Sequence, residues 1–175
     1  MRRSALLLTA LLVMATSALA PRAWGDELPE YRLKAAFLYN FALFTDWSAS
    51  VGSTLNLCVY GRNPFGAEID GLDGKAVGER HIAVHRITDL EALTACQLVF
   101  IADAANGSLP RVLASLRGVA VLTVADSAGA ADQGVVLNMS VVSNRITFEA
   151  NLAAAREAKL SLSSKLLRLA TKVLQ

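Results

Sequence analysis

The chain has 175 residues, of which 54% are hydrophobic and 18% are charged. Its 17 basic and 15 acidic residues give a formal net charge of +2, and this balance gives no support to a basic nucleic-acid-binding protein. We therefore expect no nucleic-acid partner. A chain of this length suits one domain with one proper hydrophobic core.

The first 25 residues are predicted to be a cleavable signal peptide, followed by a single domain over residues 26–175. Two arginines follow the initiating methionine, and residues 5–15 are an apolar run too short to anchor the chain in a bilayer. Cleavage fits after Ala20, where Pro21 would hinder the peptidase, or after Gly25, which we prefer. Three basic residues leave with this leader, so 14 basic and 15 acidic residues give the mature chain a net charge of −1. Export to the periplasm is expected.

Residues 31–47 contain neither Gly nor Pro and are rich in Ala and Leu, which predicts a helix. One face carries Leu33, Ala36, Phe37, Asn40, Phe44 and Trp47. The opposite face carries Tyr31, Ala35, Leu38 and Ala42. Both faces are apolar, so the helix is expected to be covered on both sides, and Asn40 should have a hydrogen-bond partner. Either the helix is internal, or it docks a second copy or a partner through Leu38, Tyr39 and Leu43.

The rest of the chain alternates between predicted strands and short helices. Strands are predicted at 55–60, 81–87, 97–101, 119–124, 135–141 and 145–149. Helices are predicted at 66–72, 89–93, 108–116 and 152–175, the last with a break near 161–164. The last two strands form an antiparallel hairpin that turns near Ser143 and Asn144.

This alternation predicts a layered α/β fold. Its sheet is mainly parallel with helices on both faces, and an antiparallel C-terminal hairpin extends it. The layering is Rossmann-like, but no glycine-rich dinucleotide motif follows the first strand.

Cys58 and Cys96 are the only cysteines. An even number of cysteines in an oxidising compartment favours a disulfide, whereas two buried free thiols are the alternative. The bridge requires the first and third strands to be neighbours, because the Cα atoms must come close together.

The sequence offers little for catalysis. His81 and His85 lie in one predicted strand about 13 Å apart, which is too far for a shared metal ion. No nucleophile elbow is present, and no histidine is evidently placed to activate a serine. We therefore expect no catalytic residue, no metal and no cofactor.

Four polar residues are predicted to lie at one edge of the sheet. Asp103 and Asp126 each follow a buried strand, and Arg62 and Asn63 follow the first strand. Because the carboxyl ends of parallel strands meet at one edge, these residues either form a small ligand pocket or simply cap their loops.

Seven segments together resemble the YfiR family of small periplasmic proteins. They are KAAFLYNFA (34–42), FTDW (44–47), LCVYGRNPFG (57–66), CQLVFI (96–101), VLTVAD (121–126), ITFEAN (146–151) and LSSKLLRLA (162–170). They occur in the expected order over nearly the whole mature chain. Cys58 and Cys96 match one cysteine pair of the family, but the second pair has no counterpart here.

The resemblance implies an α/β fold, a homodimer and a regulatory role. The namesake of the family restrains an inner-membrane diguanylate cyclase by binding its periplasmic sensor domain, and an outer-membrane partner relieves that restraint. We therefore expect a non-enzymatic periplasmic regulator of cyclic-di-GMP signalling and biofilm formation. A periplasmic module that binds a small ligand is the alternative.

Overall fold

The computed structural model describes residues 27–102 and 107–175. The predicted signal peptide and Asp103 lie outside these residues. The helices are α1 (Glu27–Leu43), α2 (Leu109–Ser115), α3 (Leu152–Glu157) and α4 (Ser164–Leu167), with 3-10 helices at Glu68–Leu72 and Glu91–Ala95. The strands are β1 (Thr45–Asp46), β2 (Thr54–Tyr60), β3 (Ala76–Val77), β4 (Arg80–Ile87), β5 (Leu98–Ile101), β6 (Leu122–Ala125), β7 (Leu137–Val142), β8 (Arg145–Asn151), β9 (Ser161–Leu162) and β10 (Lys172–Leu174).

The main sheet confirms the predicted architecture. Its strand order is β10-β8-β7-β6-β5-β2-β4-β3. The five adjacent strands β7, β6, β5, β2 and β4 run parallel to one another. Strand β8 runs antiparallel to β7, and the hairpin between them turns at Ser143 and Asn144. Both have positive φ angles, 49° and 59°, as a type I′ turn requires.

Helices cover both faces of the sheet, as predicted. The face under α1 presents Leu57, Val59, Leu98, Phe100, Leu122 and Val124. The face under α2 presents Cys58, Tyr60, Val99, Ile101, Val121 and Ala125. Successive side chains point to opposite faces, so a strand covered on both sides is apolar throughout, which explains the unbroken apolar run of β5.

The predicted disulfide between Cys58 and Cys96 is present, with its Cα atoms 6.1 Å apart. Strands β2 and β5 are neighbours in the sheet, and Cys58 lies opposite Val99. Cys96 lies two residues before β5, so the pairing of these strands brings the two sulfur atoms together.

The predicted C-terminal helix over 152–175 is confirmed only in part: α3 and α4 lie on either side of the predicted break near 161–164, but residues 172–174 form a strand instead of continuing the helix. Helix α3 ends at Glu157. Two residues later Lys159 adopts the left-handed conformation with a φ of 56°, and the Leu160 N–H donates to Ala155 O at 2.9 Å. This arrangement is a Schellman motif, which ends a helix. The chain then adds β10 to β8, because the edge of β8 offers backbone hydrogen bonds that the local leucine spacing does not reveal.

Helix α1 ends four residues earlier than predicted. The Thr45 hydroxyl donates to Phe41 O at 2.7 Å, and the Trp47 indole donates to Ala42 O at 2.8 Å. These side chains satisfy carbonyls at the end of the helix. Strand β1 then pairs with β9, so the aromatic segment after α1 becomes a strand and a turn.

Candidate functional site

Helix α1 buries one apolar face and exposes the other. The buried face consists of Lys34, Ala35, Leu38, Phe41 and Ala42. The exposed face, which we call the α1 surface, consists of Leu33, Ala36, Phe37, Asn40 and Leu43, of which Phe37 is half-buried. Leu33 is 51% exposed and Leu43 is 43% exposed. Large apolar side chains on an exposed helix face are typical of an interaction surface.

Two expectations about this helix need correction. Leu38 is predicted to contribute to an intermolecular interface, but it is 0% exposed and packs in the core. It lies on the same helix face as Lys34 and Phe41, which the sheet covers. Asn40 was expected to be buried and partnered, but it is exposed in the middle of the α1 surface, so its amide is open to water.

Tyr39 lies at the flank of α1 and is half-buried. Its hydroxyl donates to the Ala76 carbonyl of β3 at 2.9 Å, and the Lys75 ammonium lies 5.4 Å from its ring centroid. These contacts tie Tyr39 to its own chain.

Aromatic rings connect the α1 surface to the core. The half-buried Phe37 ring lies 5.9 Å from the Phe41 ring and 6.1 Å from the Phe148 ring of β8. On the same face of the sheet as Phe148, Val141 of the hairpin is exposed opposite Ile146. The α1 surface is therefore supported from below by packed rings.

A buried ion pair anchors the first turns of α1 to the sheet. The Lys34 ammonium lies 2.6 Å from Asp126 Oδ2 and 2.6 Å from Glu30 Oε1. The side chains of Lys34 and Asp126 are only 5% and 2% exposed. Asp126 directly follows β6, so the helix crosses the carboxyl edge of the sheet at this point.

Tyr31 completes this cluster. Its hydroxyl donates to Asp126 Oδ2 at 3.1 Å, and its ring contacts Phe65 with centroids 5.2 Å apart. Burial and the nearby Asp126 charge raise the pKa of Tyr31 to about 12. Burial lowers the pKa of Lys34, but hydrogen bonds to Asp126 and Glu30 outweigh burial and leave that pKa raised.

We expect the protein to lose stability as the pH rises from about 10 to about 12. Tyr31 has a pKa of about 10 when unfolded and about 12 when folded, so the folded state holds its proton over that window and the unfolded state does not. Stability contributed by a raised pKa is complete below the unfolded value and is lost toward the folded value. Thermal unfolding in this range should show a steeper decline for wild type than for Tyr31→Phe. Equal slopes for the two proteins would contradict the assignment.

The predicted polar pocket at the strand ends is not an open site in the described residues. The Asn63 amide donates to Gly66 O, and its oxygen accepts from the Phe65 N–H, both at 3.0 Å, so Asn63 caps its own loop. Arg62 is exposed, and Asp126 is occupied by Lys34. Asp103 lies outside the described residues.

A cavity of about 420 Å³ lies elsewhere, between α2 and α3. It is lined by Pro110, Leu113, Ala114, Leu116, Arg117, Gly118, Val121, Thr123, Gln133, Gly134, Val136, Ala154, Glu157 and Ala158. Exposed Arg117 and Glu157 form an ion pair at 3.7 Å. No sequence pattern predicts this cavity, because its walls come from separate segments with no shared motif.

Residues 27–102 and 107–175 contain no cluster of three or more His, Cys, Asp or Glu side chains arranged to hold a metal ion. Within the same residues, no helix combines the length and the apolar character needed to cross a membrane.

The family model described as YfiR/HmsC-like matches residues 31–171. The chain belongs to the YfiR/HmsC-like family. Members of this family are periplasmic regulators rather than enzymes, and membership supports a role for this YfiR/HmsC-like protein in cyclic-di-GMP signalling in general. No curated protein matches the chain.

Two solved structures share the fold of this YfiR/HmsC-like chain. One is a conserved domain protein from Vibrio cholerae O1 biovar El Tor, with a TM-score of 0.55 and 5% identity. The other is an ABC domain in complex with L-Trp from Streptococcus pneumoniae, with a TM-score of 0.53 and 7% identity. Each similarity covers 82% of this chain and 60% of the other chain. At such low identity the likeness concerns the fold alone.

Proposed function

We propose that this protein binds the exported sensor domain of an inner-membrane diguanylate cyclase and holds the cyclase inactive. The observation that carries the proposal is the α1 surface, an exposed apolar helix face in a family of periplasmic regulators. Such a face suits a groove or a second helix on a partner, because helix-in-groove recognition uses apolar residues spaced three and four apart. Leu33, Phe37 and Leu43 are the large apolar residues of this face, and the polar Asn40 lies between Phe37 and Leu43 at the same spacing.

Repression requires that the protein bind the inactive arrangement of the sensor domain more tightly than the active one. Moving a two-state equilibrium from 99:1 to 1:99 takes a difference in affinity of about 10⁴-fold. A surface that is already ordered serves this purpose well, because little conformational entropy is lost on binding. The Lys34–Asp126 pair and the rings of Phe41 and Phe148 hold α1 in place before any partner arrives.

A homodimer fits the same proposal. A two-fold axis would present two α1 surfaces to the two sensor domains of a dimeric cyclase, and two-fold dimers are the commonest oligomers. An outer-membrane partner that competes for the α1 surface would release the cyclase.

Deleting the gene is expected to raise cyclic-di-GMP and biofilm formation, and wild-type protein should restore both. Complementation with Leu33→Asp should fail, because a charge would replace an exposed apolar side chain of the α1 surface. The measurement is cyclic-di-GMP in extracts, together with binding of the purified protein to the purified sensor domain. We expect a loss of affinity of at least about tenfold.

The matched control is Val142→Asp. Val142 is 55% exposed, much like Leu33, but it lies in the hairpin and points to the opposite face of the sheet from Val141. The control should restore repression. Unchanged cyclic-di-GMP in a clean deletion would count against a regulatory role. Equal effects of Leu33→Asp and Val142→Asp on repression would show that the interface does not lie on α1.

Binding of a small exported ligand is the second candidate function. The cavity between α2 and α3 favours it, because about 420 Å³ lies within the range of small-molecule sites and its walls are mainly apolar. Thermal-shift screening with amino acids and cell-wall fragments would distinguish this candidate, since the α1 surface offers such ligands no enclosed volume.

A further inference from the structure

The cavity between α2 and α3 owes its volume to small side chains. Five of its fourteen lining residues are Ala or Gly, namely Ala114, Gly118, Gly134, Ala154 and Ala158. Protein interiors are otherwise close-packed, so larger side chains at these positions would fill the space between the two helices. The volume of about 420 Å³ suits a small molecule.

The floor of this cavity, which we define as Val121, Thr123 and Val136, is apolar. All three residues line the cavity and are buried. The Thr123 hydroxyl accepts a hydrogen bond from the Val136 N–H at 3.0 Å, so the floor presents no unpaired side-chain oxygen. An apolar ligand body can therefore lie against the floor without burying an unsatisfied polar group.

The mouth of the cavity carries one ion pair that a ligand can readily replace. Arg117 Nε lies 3.7 Å from Glu157 Oε1, and the two side chains are 77% and 63% exposed. This distance is too long for a hydrogen bond, and exposed ion pairs of this kind contribute little to stability. A carboxylate on a ligand could bind the Arg117 guanidinium through two parallel N–H···O bonds, which the present pair lacks.

The segments that wall the cavity carry more positive than negative charge. Residues 109–118 and 152–159 contain one acid, Glu157, and four exposed basic residues, which are Arg111, Arg117, Arg156 and Lys159. Asp132, beside the lining residue Gln133, is paired with Lys172 at 3.0 Å. The mouth therefore lies in a positive local field, which favours an anion over a cation.

We propose that this cavity binds an amphipathic anion, a carboxylate carried on an apolar chain or ring. The apolar part lies against the floor between α2 and α3, and the carboxylate binds Arg117 in place of Glu157. This inference rests on the second candidate function, small-ligand binding, and names the ligand class for it. It does not depend on binding of the sensor domain.

The test is a titration of the isotope-labelled mature protein with octanoate, followed by NMR, which reports both the affinity and the location of binding. We expect saturable shifts of amide signals around the cavity. Octylamine and octanol carry a chain of the same length with a cationic or a neutral head. Each should bind about tenfold more weakly than octanoate, because neither can accept the paired hydrogen bonds of Arg117.

Two charge variants test the mouth of the cavity. Arg117→Gln should lower the affinity for octanoate about tenfold. Arg111→Gln is the matched control, because Arg111 is exposed on α2 but does not line the cavity, and its affinity should stay close to that of wild type. Glu157→Gln should raise the affinity for octanoate, because it removes the carboxylate that competes for Arg117. A cationic ligand would show the opposite response to Glu157→Gln.

A third variant tests the space itself. Ala114→Leu should block octanoate, because the larger side chain occupies the cavity. Ala114 is exposed on α2, and leucine is a good helix former, so this variant is expected to fold. Ala153→Leu is the matched control, because Ala153 is exposed on α3 and does not line the cavity.

The outcomes separate the ligand class from the candidate function. Tighter binding of octylamine than of octanoate, or an unchanged affinity in Arg117→Gln, would overturn the anionic class and leave small-ligand binding in place. Shifts on the α1 surface instead of the cavity would overturn the site. No saturable shift with any of the three compounds would overturn the inference and count against the second candidate function as well. If Ala114→Leu does not fold, the variants of Arg117 and Glu157 decide, because both side chains are exposed.

Discussion

Lys34→Met is expected to lower the free energy of unfolding by about 3–5 kcal/mol, because it leaves the Asp126 carboxylate buried without a countercharge. Asp126 is 2% exposed in its side chain, and only the Tyr31 hydroxyl would remain to hydrogen-bond with it. Methionine keeps most of the volume of the lysine stem, so the loss reports charge rather than packing. Urea unfolding followed by circular dichroism measures it.

The double variant Lys34→Met with Asp126→Leu is the control. Replacing both members of a buried ion pair with apolar residues is often neutral or stabilising, so this variant should recover most of the loss. A cost below about 1 kcal/mol for Lys34→Met would mean that water reaches the pair, since that is the range of exposed ion pairs. The anchor for α1 would then have to come from the aromatic core.

The central sheet was predictable because its signals are local. Strand β5 is short and apolar throughout, and the segments between the strands are too short for anything but turns and short helices. The hairpin at Ser143 and Asn144 was predictable because a small polar pair separates two strand-like segments. The disulfide then followed from the neighbourhood of β2 and β5.

The buried side of α1 was not predictable in the same way. Both of its faces are apolar, so hydrophobic periodicity cannot decide between them. The face that carries Lys34 is the buried one, because Lys34 forms an ion pair with Asp126, which lies 92 residues away in the sequence. The spacing of Glu30 and Lys34 predicts one half of this cluster, but no local pattern predicts the other half.

The prediction that the helix continues to the end of the C-terminal segment failed for a related reason. Its leucines have helical spacing, yet the left-handed conformation of Lys159 prevents the helix from continuing. Strand β10 then pairs with the edge of β8. Tertiary pairing overrode local propensity there. The basic residues of this segment, Lys165, Arg168 and Lys172, are divided between α4, the residue that follows it and β10.

Removing the disulfide with Cys58→Ala and Cys96→Ala should cost about 4 kcal/mol of stability, the chain-entropy value for a loop of this size. The two cysteines are separated by 38 residues. Urea unfolding of wild type with and without reductant should show the same loss, and reductant should not affect the double variant. Mass spectrometry without reduction should show the two peptides linked, whereas two freely alkylated thiols in periplasmic protein would rule the bridge out.

The same variant separates a structural disulfide from a redox switch. Cys58 belongs to the core under α2, on the face of the sheet opposite α1. Its loss should therefore destabilise the whole domain while leaving the α1 surface intact in protein that remains folded. Sensor-domain affinity measured well below the unfolding midpoint should be unchanged. If affinity falls in a variant that is still fully folded, the disulfide acts on the binding surface across the sheet, and its role is regulatory as well as structural.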